Sequence, residues 1–275
     1  MSPIITIARK EFKDGLLNRW IIAISAIYSL LAIGLAFFGS AASGTLGFVS
    51  LDSTMISLAS LAVFIIPLIA LMLCYDTFVG EQESGTLLLL LTYPLNKTQL
   101  LLGKFVGHGA IMATANIVGF GIAALVVCLF GEDVNNVEVI SKFSAFIGYA
   151  ILLSWVFISF AFIISALVDE KSKAAGLSLI TWFLMVLVFD LALLALLVAG
   201  DGMINPDFLP YILWLNPTDL FRLINLNALS PDNYSGIMSV AQGADFTQPM
   251  LIGVMILWII LPLAIANFIF NRKGL

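Results

Sequence analysis

Charge is what this chain of 275 residues has least of. Asp, Glu, Lys and Arg make up only 11% of it, and it holds a single His and two Cys. Against 61% apolar residues and a mean hydropathy of +1.09, so small a charged share excludes an ordinary water-soluble globular domain and points to a membrane protein. One His excludes a multi-imidazole metal centre. The motifs of soluble catalysis are missing as well: there is no His-Glu-x-x-His, no Gly-x-Ser-x-Gly, and no phosphate-binding glycine loop ending in Lys and Ser or Thr. The chain is therefore expected to carry no catalytic residues and to hydrolyse no ATP by itself. Cys74 and Cys128 lie near the ends of apolar segments without a Cys-x-x-Cys spacing, so no disulfide is expected. No basic tail exists to hold nucleic acid, and no repeat or low-complexity tract interrupts the chain. The N-terminal residues lack the short apolar region and small-residue cleavage site of a removable signal, so the first apolar segment is expected to be its own anchor.

What is present is a series of long apolar runs. About 20 apolar residues cross the hydrocarbon core as a helix. Six segments qualify: Trp20 to Phe38, Ile56 to Cys74, Phe105 to Phe130, Phe143 to Val168, Gly176 to Gly200 and Met250 to Phe270. The expected fold class is all-α integral membrane, six transmembrane helices in a single unit over residues 1–275. Lys and Arg near span ends resist translocation. With both termini cytoplasmic, ten of the twelve Lys and Arg (Arg9, Lys10, Lys13, Arg19, Lys97, Lys104, Lys171, Lys173, Arg272 and Lys273) fall inside, leaving Lys142 and Arg222 outside. That orientation is expected. The net charge of -5 then comes mainly from acids on the outer loops.

Residues 1–19 read as an amphipathic helix in the inner interface, with Ile4, Ile5, Ala8, Phe12 and Leu16 on one face and Thr6, Arg9, Lys10, Lys13 and Asp14 on the other. Ser2 and Pro3 suit its N-cap and first position. The cytoplasmic segment 77–104 contains "GEQESGTLLLLLTYPLNKTQLLLGK". Its leucine run is too short to cross, yet each exposed Leu side chain costs about 1.5 to 3 kcal/mol in water. Burial of the run is expected. Gly85 and Thr86 supply a joint and a cap-like start for a short helix, Pro94 ends it, and Asn96-Lys97-Thr98 restarts the chain into the third span. Such an element, level with the membrane surface and preceded by Glu81 and Glu83, reads as a docking element for another protein or for the membrane surface. The second cytoplasmic loop, Asp169 to Lys173, can offer only a small contact.

The outer region 201–249 holds five of the nine prolines. Its stretches "FLPYILWL" and "DLFRLINLNAL" are too apolar for a free linker, and short helices on or dipping into the outer leaflet are expected. Asp190 lies near the middle of the fifth span, where a carboxylate costs about 2.5 to 3.5 kcal/mol and demands a partner. Asn116 or Asn267 would serve a protonated Asp; a dimer-interface or pathway role is the alternative. His108 and Met112 are one turn apart on the third span, with Met72 and Cys74 ending the second. These soft donors suit Cu(I), but Met and Cys are also ordinary packing residues in apolar helices, and no metal site is assigned.

The pattern Glu81-x-Glu83-x-Gly85-Thr86-Leu87, then the leucine run, Pro94, Lys97 and Gly103-Lys104, resembles the signature of the type-2 ABC transporter permease family. The whole layout is similar too: interfacial helix, six spans, both ends cytoplasmic, a long last outer loop. The resemblance implies a homodimeric, exporter-type permease. Segment 77–104 would be the coupling helix that receives the stroke of a separate cytoplasmic ABC ATPase, which would hold the ATP and Mg. Glu81, Glu83, Gly85, Thr86, Leu87, Leu88, Leu91, Pro94 and Lys97 would carry that coupling, joined by Asp169, Glu170 and Lys171. Gln82 stands where the family often has Arg or Lys, and Leu88 where it often has an acid. A closer likeness, to permeases that accompany nitrous oxide reductase in denitrifying bacteria, implies the bacterial inner membrane, a periplasmic β-helical copper-handling partner, and support of copper-centre assembly by transport or mechanical relay. Export of a lipid, polysaccharide or drug, and a non-transporting scaffold for a periplasmic partner, are the alternatives.

Overall fold

Where an apolar run is long, a helix is the structure that satisfies every backbone polar group inside lipid. The computed structural model describes residues 2–38, 50–92, 95–131, 134–199, 209–229, 238 and 245–273, and every regular element among them is helical. Helix α1 (Pro3–Leu17) starts as the sequence suggests, with Ser2 Oγ accepting the Ile5 amide at 3.5 Å and Pro3 in the first turn. The chain turns through Arg19, left-handed at φ 59°, into α2 (Trp20–Phe38). Next come α3 (Leu51–Cys74), the short α4 (Val79–Glu83) and α5 (Thr86–Leu91), and the long α6 (Lys97–Phe130) and α7 (Asn136–Leu167). Helix α8 (Lys171–Phe183) passes through a π-helical stretch, Leu184–Val188, into α9 (Phe189–Ala199). Helix α10 (Leu209–Ile212), a 3₁₀ turn, α11 (Pro217–Leu229) and α12 (Gln248–Arg272) complete the described chain.

Among the described residues, six stretches are long and apolar enough to cross a membrane: Trp20–Phe38, Leu51–Glu83, Lys97–Phe130, Asn136–Leu167, Lys171–Leu197 and Gln248–Arg272. Each overlaps one expected segment, and most extend beyond it. The reason is local: hydropathy stops at the first polar residue, whereas a helix continues to its cap, as α6 does by starting at the Asn96–Gln99 capping box.

Helix α7 is the central element, with α3, α6 and α12 packed on it. Helix α6 in turn seats α1 and α2. A Cβ at Gly107 would lie 2.6 Å from Glu11 Cβ and 3.0 Å from the Ala8 carbonyl oxygen, so α1 touches α6 backbone to backbone. Small residues allow such approaches between helices in lipid. Ser29 Oγ ties α2 to the Gly119 carbonyl at 2.9 Å, and Tyr28 stacks on Phe120 with ring centroids 4.9 Å apart. Ile7, Ala8, Glu11 and Gly15 face α6, while Ile5 and Leu16 from the expected apolar face are exposed.

The described part of region 201–249, expected on the outer side, differs most from a surface loop. Helix α11 buries Thr218, Asp219, Leu220, Phe221, Leu223, Ile224, Asn225 and Leu226 against α3, α7 and α12. It is part of the bundle interior. At the far end of the bundle Lys142 pairs with Asp52 and with Glu138, the latter at 2.6 Å. At the opposite end, here called the basic end, α1, Lys97, Asp169, Lys171 and Lys273 gather.

Candidate functional site

The basic end is organised around segment 75–104. After α3 the chain turns at Tyr75–Phe78, and the freed amides of Phe78 and Val79 donate to Ser165 Oγ on α7 at 2.9 and 3.2 Å. This pins the start of α4. Its first acid, Glu81, accepts from Lys104 Nζ at 2.7 Å, and the same ammonium donates to Glu11 Oε1 at 3.2 Å. The Lys104 side chain is only 4% exposed, so a full positive charge sits among α1, α4 and α6 with two carboxylates to neutralise it. Burial disfavours the charge on Glu11, but Lys104, then His108 and Lys10, outweigh it and hold this carboxyl below its ordinary value.

The second acid, Glu83, accepts the backbone amide of Lys171 at 2.8 Å. Helix α8 receives no side-chain cap from its own N-cap residue, Glu170. Glu83 therefore supplies from another element the anion that the positive end of a helix favours. Gln82 Nε2 donates to Asp169 Oδ1 at 3.2 Å. The segments 77–104 and 169–173, read separately from sequence, are one assembly. The C-terminal segment joins them: Lys273 Nζ donates to Asp169 Oδ1 and to the Val168 carbonyl, both at 2.8 Å, and Lys97 Nζ donates to the Lys273 carbonyl at 2.7 Å. Hydrogen bonds from Lys273, then from Gln82, hold the exposed Asp169 carboxyl below its ordinary value. Glu170 pairs with Lys173 at 2.7 Å on the surface.

Between α4 and α5, Gly85 takes φ 71°, a left-handed turn that costs a side-chain-bearing residue more than glycine. Ser84 and Thr86 hydroxyls meet at 2.9 Å across it. The leucine run is not buried as a whole. Leu87 is 1% exposed, but Leu88 is 57% and Leu89 65% exposed. A six-residue helix has only one side to turn inward, which a count of leucines does not register. The Leu91 side chain and Pro94 lie outside the described residues.

The intramembrane polar residues also find unforeseen partners. Asn116 donates to the Met112 carbonyl at 2.8 Å and to Ser154 Oγ at 3.1 Å, and Asn267 accepts from Asn271. Neither holds Asp190. Its partner is Arg222 of α11, whose Nη1 donates to Asp190 Oδ2 at 2.7 Å and to Asp219 Oδ1 at 2.9 Å. Sequence reasoning left Arg222 on an outer loop because nothing local says that α11 folds back into the bundle. Asp190 also lies nearer the far end than its place in the apolar run suggests. Nineteen residues separate it from Lys171, about 28 Å of helix, close to the full hydrocarbon thickness.

His108 sits beside Glu11, with Nε2 3.9 Å from its carboxylate and 3.4 Å from Thr77 Oγ1, and edge-on to Phe162. Met112 and Cys74 are buried core residues and Met72 packs at the core edge. Among the described residues no group of three or more His, Cys, Asp or Glu is placed to hold a metal ion. The organising residues that sequence reasoning passed over at this end are Glu11, Ser165 and Lys273. A signal for Glu11 existed: with Ile4, Ala8 and Gly15 it forms a row at helical spacing opposite Gly103 and Gly107.

The arrangement makes a short helix, half apolar and exposed, on a loop fastened by charge to α1, α6, α8 and the end of α12. Residues 5–275 match the model of the family described as ABC-2 family transporter protein, and the chain belongs to that family as a membrane permease of the ABC-2 type. Two relatives named "Probable ABC transporter permease protein NosY" are similar over almost their whole length. The one from Stutzerimonas stutzeri is 52% identical over 276 residues, covering 99% of each chain. The one from Pseudomonas aeruginosa is 49% identical over 273 residues, again covering 99% of each.

Proposed function

We propose that this chain is the membrane subunit through which a separate cytoplasmic ABC ATPase, NosF-like and itself holding ATP and Mg, drives work on a periplasmic, NosD-like β-helical copper-handling protein. The outcome is assembly of the copper centre of nitrous oxide reductase. The protein acts as one permease unit over residues 1–275 in the bacterial inner membrane, both termini cytoplasmic, with 77–104 as coupling segment and 201–249 as periplasmic region. It needs no cofactor of its own. The observation that carries the reading is α5: Leu88 and Leu89 stand exposed on a loop fastened to four long helical segments through Lys104, Glu83 and Asp169. Coupling follows if the ATPase binds the two arrangements of that loop with different affinity. A homodimer is supported by the fifth span, Lys171–Leu197, of whose most apolar window only 11% is buried within the chain, against 67% for Asn136–Leu167.

The test is co-purification with the partner ATPase, and ATP hydrolysis by the complex, for wild type and for Leu88→Asp with Leu89→Asp. Both side chains are exposed, so the variant should fold and lose ATPase binding and stimulated hydrolysis. Retention of both would refute the coupling role. A second arm examines copper-centre assembly in cells carrying an ATPase-dead partner: loss of assembly supports the driven relay, whereas normal assembly would leave only a scaffold.

A further inference from the structure

At the far end of the bundle, Arg222 faces two carboxylates, and among the described residues no other cation pairs with them. Asp219 is fully buried, whereas the Asp190 and Arg222 side chains keep 17% and 14% exposure. Three ionised groups would leave one uncompensated negative charge in this interior. One oxygen, Asp190 Oδ1, is buried without a hydrogen-bond donor. A proton on Asp219 removes both faults, because it cancels the excess charge and supplies a donor to a carboxylate that cannot donate for itself.

The surroundings show what that proton would hold. Span five is π-helical over Leu184–Val188, and the Met185 carbonyl accepts from Asn216 Nδ2 at 2.7 Å and from Thr218 Oγ1 at 3.3 Å. Asn216 also donates to Asp219 Oδ2 at 3.4 Å and caps α11 by accepting the Thr218 amide at 3.1 Å. The start of α11 is thus seated in the irregular turn of span five, and the Arg222–Asp190 bond closes the seat one turn later. We propose that Asp219 and Asp190 share one proton taken from the outer side, and that this proton latches α11 onto span five; its loss leaves an unbalanced buried charge and frees α11.

Among the described residues, no other charge pairs with this cluster. Of the helices packed against α11, α3 carries only Asp52, α7 carries Glu138 and Lys142, which pair with each other and with Asp52, and the one charge on α12, Arg272, is at the opposite end. Tyr149 of α7 accepts from Gln248. Burial, then the Asp190 charge, push the Asp219 carboxyl up to about 7 despite Arg222. In the opened segment it would titrate near 3.8, so the latch is strong at low pH and weakens as pH rises toward neutrality.

The experiment is hydrogen exchange of the full chain in lipid nanodiscs from about pH 5 to pH 8.5, following the amides of Thr218 to Leu226 after correction for intrinsic exchange rates. Their protection should fall about tenfold per pH unit between about pH 5 and 7 and level off above about pH 8, while amides in the middle of α7 stay constant. Asp219→Asn should remove the slope and stay protected throughout. A wild type without the slope, or an Asp219→Asn protein that keeps it, would overturn the latch. If that variant does not fold, the wild-type profile decides alone, and Asp190→Asn should lose the slope independently.

Discussion

The two ends of the bundle hold clusters of the same stoichiometry, one cation and two carboxylates, and they behave oppositely. At the basic end Lys104 draws its acids from two other elements, Glu11 of α1 and Glu81 of α4. At the far end Arg222 takes one acid from span five and the other, Asp219, from its own helix three residues earlier. Against burial, the charges of Lys104 and then Lys10 act on Glu11 and keep its carboxyl below the ordinary value. Asp219 has only Arg222 to set against burial and a second carboxylate, and its carboxyl rises to about 7. The comparison teaches that the protonation of a buried acid is decided by the charge around it and not by its having a partner. The first cluster is a permanent joint, and the second is one whose charge depends on pH.

The strongest way to break the comparison is Lys104→Met. Two partly buried carboxylates would lose their buried cation, and losing one side of a buried pair costs up to about 3 to 5 kcal/mol; thermal unfolding in detergent should register it. Adding Glu11→Gln and Glu81→Gln should restore most of the loss. If Lys104→Met alone is harmless, the joint is not structural. Next in size is Gly107→Leu, which pushes side-chain atoms into Glu11 and the Ala8 carbonyl and should cost about 1 to 3 kcal/mol. It should also detach α1, seen as faster exchange of its amides.

Acidification separates the clusters by sign. Glu11 has a depressed folded-state value, so its contribution is complete above the ordinary 4.5 and is lost as pH falls below that. Asp219 has a raised value, so its contribution is complete below 3.8 and is lost as pH climbs toward about 7. Melting temperature against pH should accordingly lose its neutral limb in Asp219→Asn and its acid limb in Glu11→Gln. Exchanged or unchanged limbs would show that the clusters have been assigned the wrong way round. A smaller effect is expected from Glu83→Ala, which removes the anion at the start of α8 and should cost roughly 1 kcal/mol or less. Increased exchange at Lys171 to Ala174 would report it. Asp169→Asn is the smallest: Asp169 lies on the surface, so losing its pairing with Lys273 should leave the melting temperature nearly unchanged at neutral pH while loosening the C-terminal residues.

Composition and periodicity were enough to determine six apolar helices and the start of α1 at Ser2 and Pro3, while the signature from Glu81 to Lys104 was legible by its resemblance to a known family. These are properties of one segment at a time, governed by hydropathy, capping and backbone hydrogen bonding within the helix. Which leucines of the run Leu87 to Leu91 face outward was not legible, because a run of identical residues has no phase until Ser165 and Lys104 fix the preceding turn in place. Nor was the partner of Asp190, since Arg222 lies thirty-two residues away and reaches it only after α11 turns back into the bundle. The joining of Glu83 to Lys171 and of Lys273 to Asp169 likewise depends on segments far apart in the chain. Such pairings are set by how the long helices pack on α7, and packing is a property of all of them together.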